Sequence, residues 1–364
     1  MENFVVSARK YRPKGFEEVV GQQHITTTLE NAINNNHLAQ ALLFCGPRGV
    51  GKTTCARIVA RMVNDFGEED NNLNIYELDA ASNNSVEDIR NLVDQVRYAP
   101  QAGKFKVYII DEVHMLSNAA FNAFLKTLEE PPSYAIFILA TTEKHKIIPT
   151  ILSRCQIFDF NRIQISDIAD QLADIAKKEG IEAEEDALHL IAQKADGAMR
   201  DALSIFDLIV TFSSGNKVTY KTVIDNLHIL DYDYYFRMTE HLLAEDVAQA
   251  MLLFDDILDK GFDGHLFIVG LAEHLRNLMV CKDQATVKLL QVSENVQKRY
   301  LEQSAQASIS FLLTALNLAG RCDQSYKGAK NQRLHVELTL MKMAHVNQAI
   351  LLSQQAPAAA EKKK

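Results

Sequence analysis

The residues best suited to chemistry lie in one glycine-rich stretch that fits the pattern G-x-x-x-x-G-K-[ST]. The stretch consists of Gly46, Pro47, Arg48, Gly49, Val50, Gly51, Lys52 and Thr53. Its glycines let backbone N–H groups curl around phosphate oxygens, while Lys52 offers a positive charge and Thr53 can place its hydroxyl on Mg²⁺. An apolar run at 41–44 precedes the stretch and a helical pattern follows it, as a phosphate-binding loop requires. The sequence therefore predicts nucleotide binding, with a ligand-free glycine-rich turn as the alternative.

A second motif that could take part in a reaction is the acidic pair Asp111 and Glu112, which follows the β-branched run 107–110. Such a run is typical of a buried parallel strand, whose last side chains reach the sheet edge that faces the phosphates. Asp111 would hold Mg²⁺ through water and Glu112 would polarise an attacking water. The pair therefore favours hydrolysis over transfer to a substrate hydroxyl, the alternative being an acidic cap on the next helix.

Composition limits the classes of protein that remain. The 364 residues suffice for two or three domains, and 47% hydrophobic with 23% charged residues is ordinary for a soluble globular chain. No apolar stretch reaches transmembrane length, and the first residues lack a signal-peptide pattern. The five cysteines show no C-x-x-C spacing, so we expect reduced thiols in a cytoplasmic protein. With a net charge of −9, a nucleic-acid partner would need a local basic surface.

Hydrophobic periodicity predicts the elements that must position these residues. Strands are predicted at 41–45, 75–79, 106–111, 135–141 and 156–160. Helical patterns lie between them, including 85–97 with a capping box at Ser85 and Asp88, and 117–130. Such alternation predicts a parallel sheet covered by helices. From Ile165 onward we expect helices without strands, namely 166–179, 184–196, 200–213, 219–228, a second block at 230–350 that includes 265–281, and a linker at 356–364.

Three further strings carry a resemblance to a known family. They are residues 8–13 with 19–22, residues 140–143 with 151–155, and residues 197–203. Together with the phosphate loop, they resemble the gamma/tau family of bacterial DNA polymerase III clamp loaders over about residues 4–350. The resemblance implies an AAA+ fold, in which an α/β P-loop core with a parallel sheet is followed by a small helical lid and an all-α collar. The expected domains are 1–161, 162–229 and 230–350, with a linker at 351–364.

The resemblance also implies roles for single residues. Arg154, within Ser153-Arg154-Cys155, matches an arginine finger that reaches the γ-phosphate bound by a neighbouring subunit. Thr142 matches the sensor 1 position and Arg200 matches sensor 2 on the lid. The corresponding alternatives are a surface salt bridge, a strand-end cap and an exposed helical arginine. The expected catalytic set is Lys52, Asp111, Glu112, Thr142, Arg154 and Arg200.

Expected cofactors are ATP and Mg²⁺. Thr54, beside the phosphate loop, joins the expected nucleotide-binding residues. The adenine pocket is implied at Tyr11, Arg12, Pro13 and Val20, for which structural roles are the alternative. Thr53 and Asp111 are the expected Mg²⁺ residues. Family members usually carry a four-cysteine zinc module after the phosphate-loop helix, but residues 64–74 are acidic and cysteine-free, so we predict no zinc.

The implied function is that of an ATP-driven clamp-loader motor subunit. Implied partners are delta and delta-prime subunits, further copies of the chain, the sliding clamp and primer–template DNA, with polymerase and helicase reached through a C-terminal extension. DNA would be held by backbone contacts. Candidate contributors, for which solvated loops are the alternative, are Arg97, Lys104, Lys106, Lys144, His145 and Lys146.

Other functions stay open at this point. One alternative is another AAA+ DNA motor, such as a branch-migration ATPase that acts without a clamp. A second is an ATP-binding scaffold of the replisome. Intact Lys52, Glu112 and Arg154 argue against it, because a scaffold has no need of catalytic geometry. A small-molecule kinase is disfavoured because no acceptor-site motif is present. No set of carboxylates resembles a polymerase active site.

Overall fold

The computed structural model describes residues 5–65, 74–100, 103–213, 216–227, 230–290, 292 and 294–355. The chain divides into two compact units, residues 1–219 and 220–364. Most of the connection predicted to lack zinc, residues 66–73, lies outside the described residues, as does the end of the predicted linker, 356–364.

The first unit is built on a five-stranded parallel sheet in the order β2-β3-β4-β1-β5. Its strands are β1 Ala41–Cys45, β2 Ile75–Asp79, β3 Lys106–Asp111, β4 Ala135–Thr141 and β5 Gln156–Asp159. All five predicted strands are present, and β5 ends one residue earlier than predicted. β1 and β4 are buried along their whole length because helices cover both faces of the sheet. The predicted α/β P-loop core is therefore confirmed.

Helices flank this sheet. They are α1 Ser7–Lys10, α2 Gln23–Asn34, α3 Lys52–Met62, α4 Val86–Val96, α5 Asn118–Glu129 and α6 Pro149–Leu152, with 3₁₀ turns at Phe16–Glu18, Val113–Met115 and Lys144–Lys146. The capping box predicted for α4 is present, since Asp88 donates its N–H to Ser85 Oγ and accepts the Ser85 N–H. Such a cap stabilises a helix by about 1 kcal/mol. Pro131 and Pro132 follow α5, and proline cannot continue a helix because it lacks a backbone N–H.

A small helical region completes the first unit. It contains α7 Ile165–Glu179, α8 Glu185–Lys194 and α9 Met199–Phe212. The prediction that strands end before this region was wrong in one detail. β6 Glu182–Ala183 and β7 Lys217–Val218 form a two-residue parallel ladder. A pair this short has no detectable period, so only the folded chain brings the two segments together.

The second unit is all-helical within its described residues. Its helices are α10 Tyr220–Leu227, α11 Tyr232–Leu243, α12 Val247–Asp259, α13 Gly264–Val280, α14 Gln284–Val287, α15 Glu294–Gln306, α16 Ile309–Tyr326, α17 Gln332–Ala344 and α18 Val346–Gln355. Phe254, Phe267 and Phe311 are fully buried in its core. Helix α18 covers residues 351–355, which had been predicted as linker. None of the helices described in either unit is both long and apolar enough to span a bilayer.

One buried histidine in the second unit is neutral because of its surroundings. His274 Nδ1 lies 3.1 Å from Tyr300 Oη, and Nε2 lies 2.9 Å from Gln303 Oε1. Gln303 donates its amide to the Phe236 carbonyl, which orients Oε1 as an acceptor toward His274. Burial, more than the nearby Arg299 charge, lowers the pKa of His274 from 6.5 to about 4.

This lowered pKa makes the stability of the folded chain depend on pH. Unfolded chains bind a proton at His274 near pH 6.5, whereas the folded chain resists protonation until about pH 4. Unfolding therefore takes up a proton within this window, so stability is greatest above it and falls as the pH drops through it. We expect a loss of roughly 3 kcal/mol by the lower end. The prediction is checked by measuring the free energy of unfolding as a function of pH for the unmodified chain and for His274→Gln. The difference in unfolding free energy between the two proteins should narrow as the pH falls. Parallel pH profiles would contradict the prediction.

Candidate nucleotide-binding site

The phosphate loop joins β1 to α3 at the carboxyl edge of the sheet. Gly46 has a φ of 150°, and a Cβ there would lie 2.4 Å from the Phe160 carbonyl oxygen. Gly51 has a φ of 105° directly before α3 begins. Both positions require glycine, the first for lack of space and the second for its left-handed backbone. The loop thereby presents the N-terminus of α3, which attracts anions.

Lys52 and Thr53 are held by the loop and by the neighbouring strand. The Lys52 ammonium donates to the carbonyl oxygens of Gly46 and Pro47, at 2.7 Å each. Burial lowers the pKa of Lys52, although the negative charges of Glu112 and Asp111 act to raise it. Thr53 donates its hydroxyl to Asp111 Oδ2 at 2.8 Å. A hydroxyl and a carboxylate so close together are the hard oxygen donors that Mg²⁺ prefers, so these residues fit a Mg–nucleotide.

Glu112 is fixed by its backbone and by Thr142. Its φ of 47° lies in the left-handed region, which is uncommon for a residue with a side chain. Such a backbone conformation costs free energy and is found preferentially at functional sites. Thr142 donates its N–H at 3.2 Å and its hydroxyl at 2.9 Å to Glu112 Oε2. The other oxygen, Oε1, has no hydrogen-bond donor among the described residues. Thr142, which matches the sensor 1 position, therefore has Glu112 as its hydrogen-bond partner in the structure.

The small helical region reaches the phosphate loop through the start of α9. Arg200 donates its backbone N–H to the Gly49 carbonyl oxygen at 3.4 Å. A Cβ at Gly49 would lie 2.9 Å from Ala198 Cβ, so this contact requires a residue without a side chain. Arg200 lines the same cavity as the phosphate loop, which is the placement expected for a sensor 2 residue.

Most of these residues line a cavity of about 510 Å³, a size suited to a nucleotide. Gly46, Pro47 and Thr142 are not among its lining residues. Its walls include the predicted residues Tyr11, Arg12, Pro13, Val20, Arg48, Gly49, Val50, Gly51, Lys52, Thr53, Thr54, Asp111, Glu112 and Arg200. Lining residues to which the sequence analysis gave no site role are Ala8, Glu18, Val19, Asp79, Ala81, Ile163, Gln171, Met199 and Leu203. Met199 and Leu203 flank Arg200 on one face of α9, so helical spacing could have found them. Gln171 carried no such signal.

The N-terminal segment that forms one wall is attached to the helical region. Ser7 donates its N–H to Asp207 Oδ2 at 2.7 Å, and its hydroxyl donates to the same carboxylate. Tyr11 donates its hydroxyl to Glu179, and Lys10 forms an ion pair with that glutamate. The wall that carries Tyr11, Arg12 and Pro13 therefore depends on helices α7 and α9.

Comparison with protein families distinguishes among proteins that share this architecture. Residues 21–164 match the family of the DNA polymerase III delta subunit, and residues 167–215 match the ATPase lid domain of a DNA polymerase III clamp loader subunit. Residues 218–356 match domain III of the DNA polymerase III subunits gamma and tau. The chain is 35% identical to the gamma subunit of Buchnera aphidicola (strain Bp) over 363 residues, which cover 95% of this chain and 98% of the relative.

The chain belongs to the gamma/tau family.

Other curated relatives agree with this membership. The chain is 38% identical to the tau subunit of Bacillus subtilis and 37% identical to that of Escherichia coli, with 93% of this chain covered in each case. The match spans 63% of the first tau subunit and 55% of the second.

Solved structures with the same fold include a motor from another AAA+ family. The Thermotoga maritima RuvB Holliday junction branch migration motor matches with a TM-score of 0.50 and 21% identity. The match covers 64% of this gamma/tau chain and 79% of RuvB. At this identity the likeness shows the AAA+ fold alone.

Arg154, the predicted finger of this gamma/tau chain, is not among the residues that line the cavity. It follows α6, and its guanidinium forms an ion pair with Glu129 at the end of α5. It also donates to the Thr150 carbonyl oxygen at 2.7 Å and to Ser153 Oγ at 3.2 Å. The structure thus places Arg154 apart from the nucleotide site of its own chain, so any role at a phosphate would be at a neighbour's site.

The basic residues considered for DNA differ widely in exposure. Arg97 is exposed, Lys104 pairs with Asp65, and Lys144 pairs with Asp159. Lys106 was a wrong candidate because its side chain is buried. Its ammonium donates to the carbonyl oxygens of Gln95 and Tyr98, at 2.9 Å and 3.2 Å, and so caps the end of α4. Burial lowers its pKa.

Proposed function

We propose that this chain is an ATP-driven motor subunit of a bacterial clamp loader, which opens a sliding clamp and loads it onto primed DNA. The observation that carries the proposal is the match of residues 218–356 to domain III of gamma and tau, in the same chain as a nucleotide cavity with Asp111 and Glu112. A branch-migration motor shares the AAA+ fold, but the match to domain III of gamma and tau favours a clamp loader.

The residues around the cavity suit ATP hydrolysis. Lys52 and the loop N–H groups would hold the outer phosphates, and Thr53 with Asp111 would hold Mg²⁺. Mg²⁺ bound with ATP would supply the positive charge that neutralises the negative charge developing on the phosphate oxygens. Glu112 would orient water through Oε1, because Thr142 already engages Oε2. Tyr11, Arg12, Pro13 and Val20 would enclose the adenine.

Assembly with other subunits would supply an arginine to the nucleotide site of each neighbour. We assign Arg154 as a finger that stabilises transition-state charge at the site of a neighbouring subunit, as other fingers do in trans. The proposed neighbours are delta, delta-prime and further copies of this chain, joined through the second unit. The proposed substrates are the sliding clamp and primer–template DNA in the cytoplasm. Polymerase and helicase are proposed as further partners, which would be reached through a C-terminal extension.

The test is ATP turnover by the chain mixed with delta, delta-prime and sliding clamp, with and without primed DNA. We expect strong stimulation that requires clamp and primed DNA together, since both complete the geometry around the finger. Single-stranded DNA of the same length serves as the control for the primer–template junction.

Two other results would each reject the proposal in a different way. Equal turnover with and without clamp and partners would favour an independent DNA motor. ATP binding without turnover in every mixture would favour a replisome scaffold.

A further inference from the structure

A buried histidine touches the residues on both sides of Thr142. His114 lies in the 3₁₀ turn Val113–Met115, two residues after Glu112, and its side chain is only 7% exposed. Its Nδ1 lies 3.1 Å from Oγ1 of Thr141, a residue with no exposed surface. Its Nε2 lies 3.4 Å from Oε1 of Glu143.

The same ring also approaches the glutamate that Thr142 holds. His114 Nδ1 is 3.4 Å from Glu112 Oε2, the oxygen that accepts both hydrogen bonds from Thr142. The Glu143 N–H donates to Thr141 Oγ1 at 3.0 Å, so Thr141 and Glu143 are also bonded to each other. The ring therefore lies inside a closed set of polar contacts around one segment, residues 141–143.

These contacts have a mechanical consequence. Thr142 can donate two hydrogen bonds to Glu112 Oε2 only while its backbone keeps its position relative to the turn that carries Glu112. His114 belongs to that turn. It is hydrogen-bonded to Thr141 on one side, and its Nε2 lies 3.4 Å from Glu143 Oε1 on the other. Removing the ring would leave the buried Thr141 hydroxyl with the Glu143 N–H as its remaining partner, and would remove the side-chain contacts on both sides of Thr142.

We propose that His114 is a positioning residue, which holds residues 141–143 against Glu112 and so keeps Glu112 Oε1 directed at the hydrolytic water. The proposal deepens the proposed function and rests on it for the water, but not for the contacts themselves. His114 acts through Thr142 and Glu112 and need not touch the nucleotide.

The first test measures the contact rather than the activity. The Thr142 amide proton is donated to Glu112, so its hydrogen exchange reports whether the segment stays in place. We expect His114→Leu to accelerate the exchange of the Thr142 amide proton, and we expect Glu112→Ala to do the same. His274→Leu, which removes another buried and hydrogen-bonded histidine, should leave Thr142 exchange unchanged while lowering overall stability. Slow Thr142 exchange in His114→Leu would overturn the proposal.

The second test separates positioning from folding. In the complete clamp loader, His114→Leu should lower turnover about 10- to 100-fold, because small misplacements of catalytic groups have effects of that size. Its dissociation constant for ATP should change less than about two-fold, since His114 does not line the cavity. His114→Asn, which keeps a polar atom near Thr141, should recover part of the turnover.

Outcomes that count against the proposal are distinct from those that count against the function. If ATP affinity and stability fall in parallel with turnover, His114 has only a structural role and the proposal is wrong. If Glu112→Gln retains full turnover, the proposed hydrolytic role of Glu112 fails, and Thr142 exchange alone then decides the part played by His114.

Discussion

Glu112→Gln is expected to bind ATP with unchanged affinity and to lose about 10²- to 10⁴-fold in turnover, the usual contribution of a positioned general base. The substitution keeps the size of the side chain and an oxygen that can accept from Thr142. It removes the negative charge that would polarise water. Because Lys52 and Thr53 hold the phosphates independently, binding should survive.

The measurement is ATP affinity by equilibrium binding, followed by turnover in the complete mixture with clamp and primed DNA. Glu87→Gln is a suitable control, because Glu87 is an exposed glutamate in the first turn of α4. The control should match the unmodified chain in both assays. Full turnover by Glu112→Gln would remove Glu112 from the mechanism and leave ATP binding without a hydrolytic role.

Arg154→Ala is expected to lower turnover of the assembled complex by about 10³- to 10⁵-fold, the size of effect that arginine fingers have elsewhere. ATP affinity of the isolated chain should not change, because Arg154 does not line the cavity of its own chain. Arg154→Lys should recover little, since a lysine lacks the planar fork that engages two phosphate oxygens.

A matched control is available elsewhere in the first unit. Arg57 is 35% exposed and pairs with Glu77, while Arg154 is 32% exposed and pairs with Glu129. Arg57→Ala therefore removes an ion pair of the same kind without touching the proposed finger. Such partly exposed pairs contribute roughly 0–1 kcal/mol to stability, so loss of the pair alone cannot account for a large fall in turnover. Equal effects of the two substitutions would show that Arg154 is a surface ion-pair residue.

Local sequence was enough to predict the elements that carry the site. The strands at 41–45 and 106–111 were predicted at their observed limits, because parallel strands buried on both faces are short apolar runs between polar segments. The phosphate loop could also be predicted from local sequence, because its glycines meet backbone requirements that lie within eight residues. The capping box of α4 follows from four consecutive residues. In each case the interaction that fixes the structure lies close in sequence.

The sequence by itself therefore determined the fold class, the phosphate loop and the acidic pair, and its three further strings placed the chain in its family. Tertiary structure alone decided how these parts meet. Thr142 and Glu112 are 30 residues apart, Ser7 and Asp207 are 200 apart, and both contacts depend on packing that no local pattern records. The strand order β2-β3-β4-β1-β5 brings β3 beside β4, and this adjacency sets Thr142 against Glu112 and encloses His114. Burial likewise made Lys106 a helix cap rather than a DNA contact, because the environment of a charged side chain belongs to the folded chain.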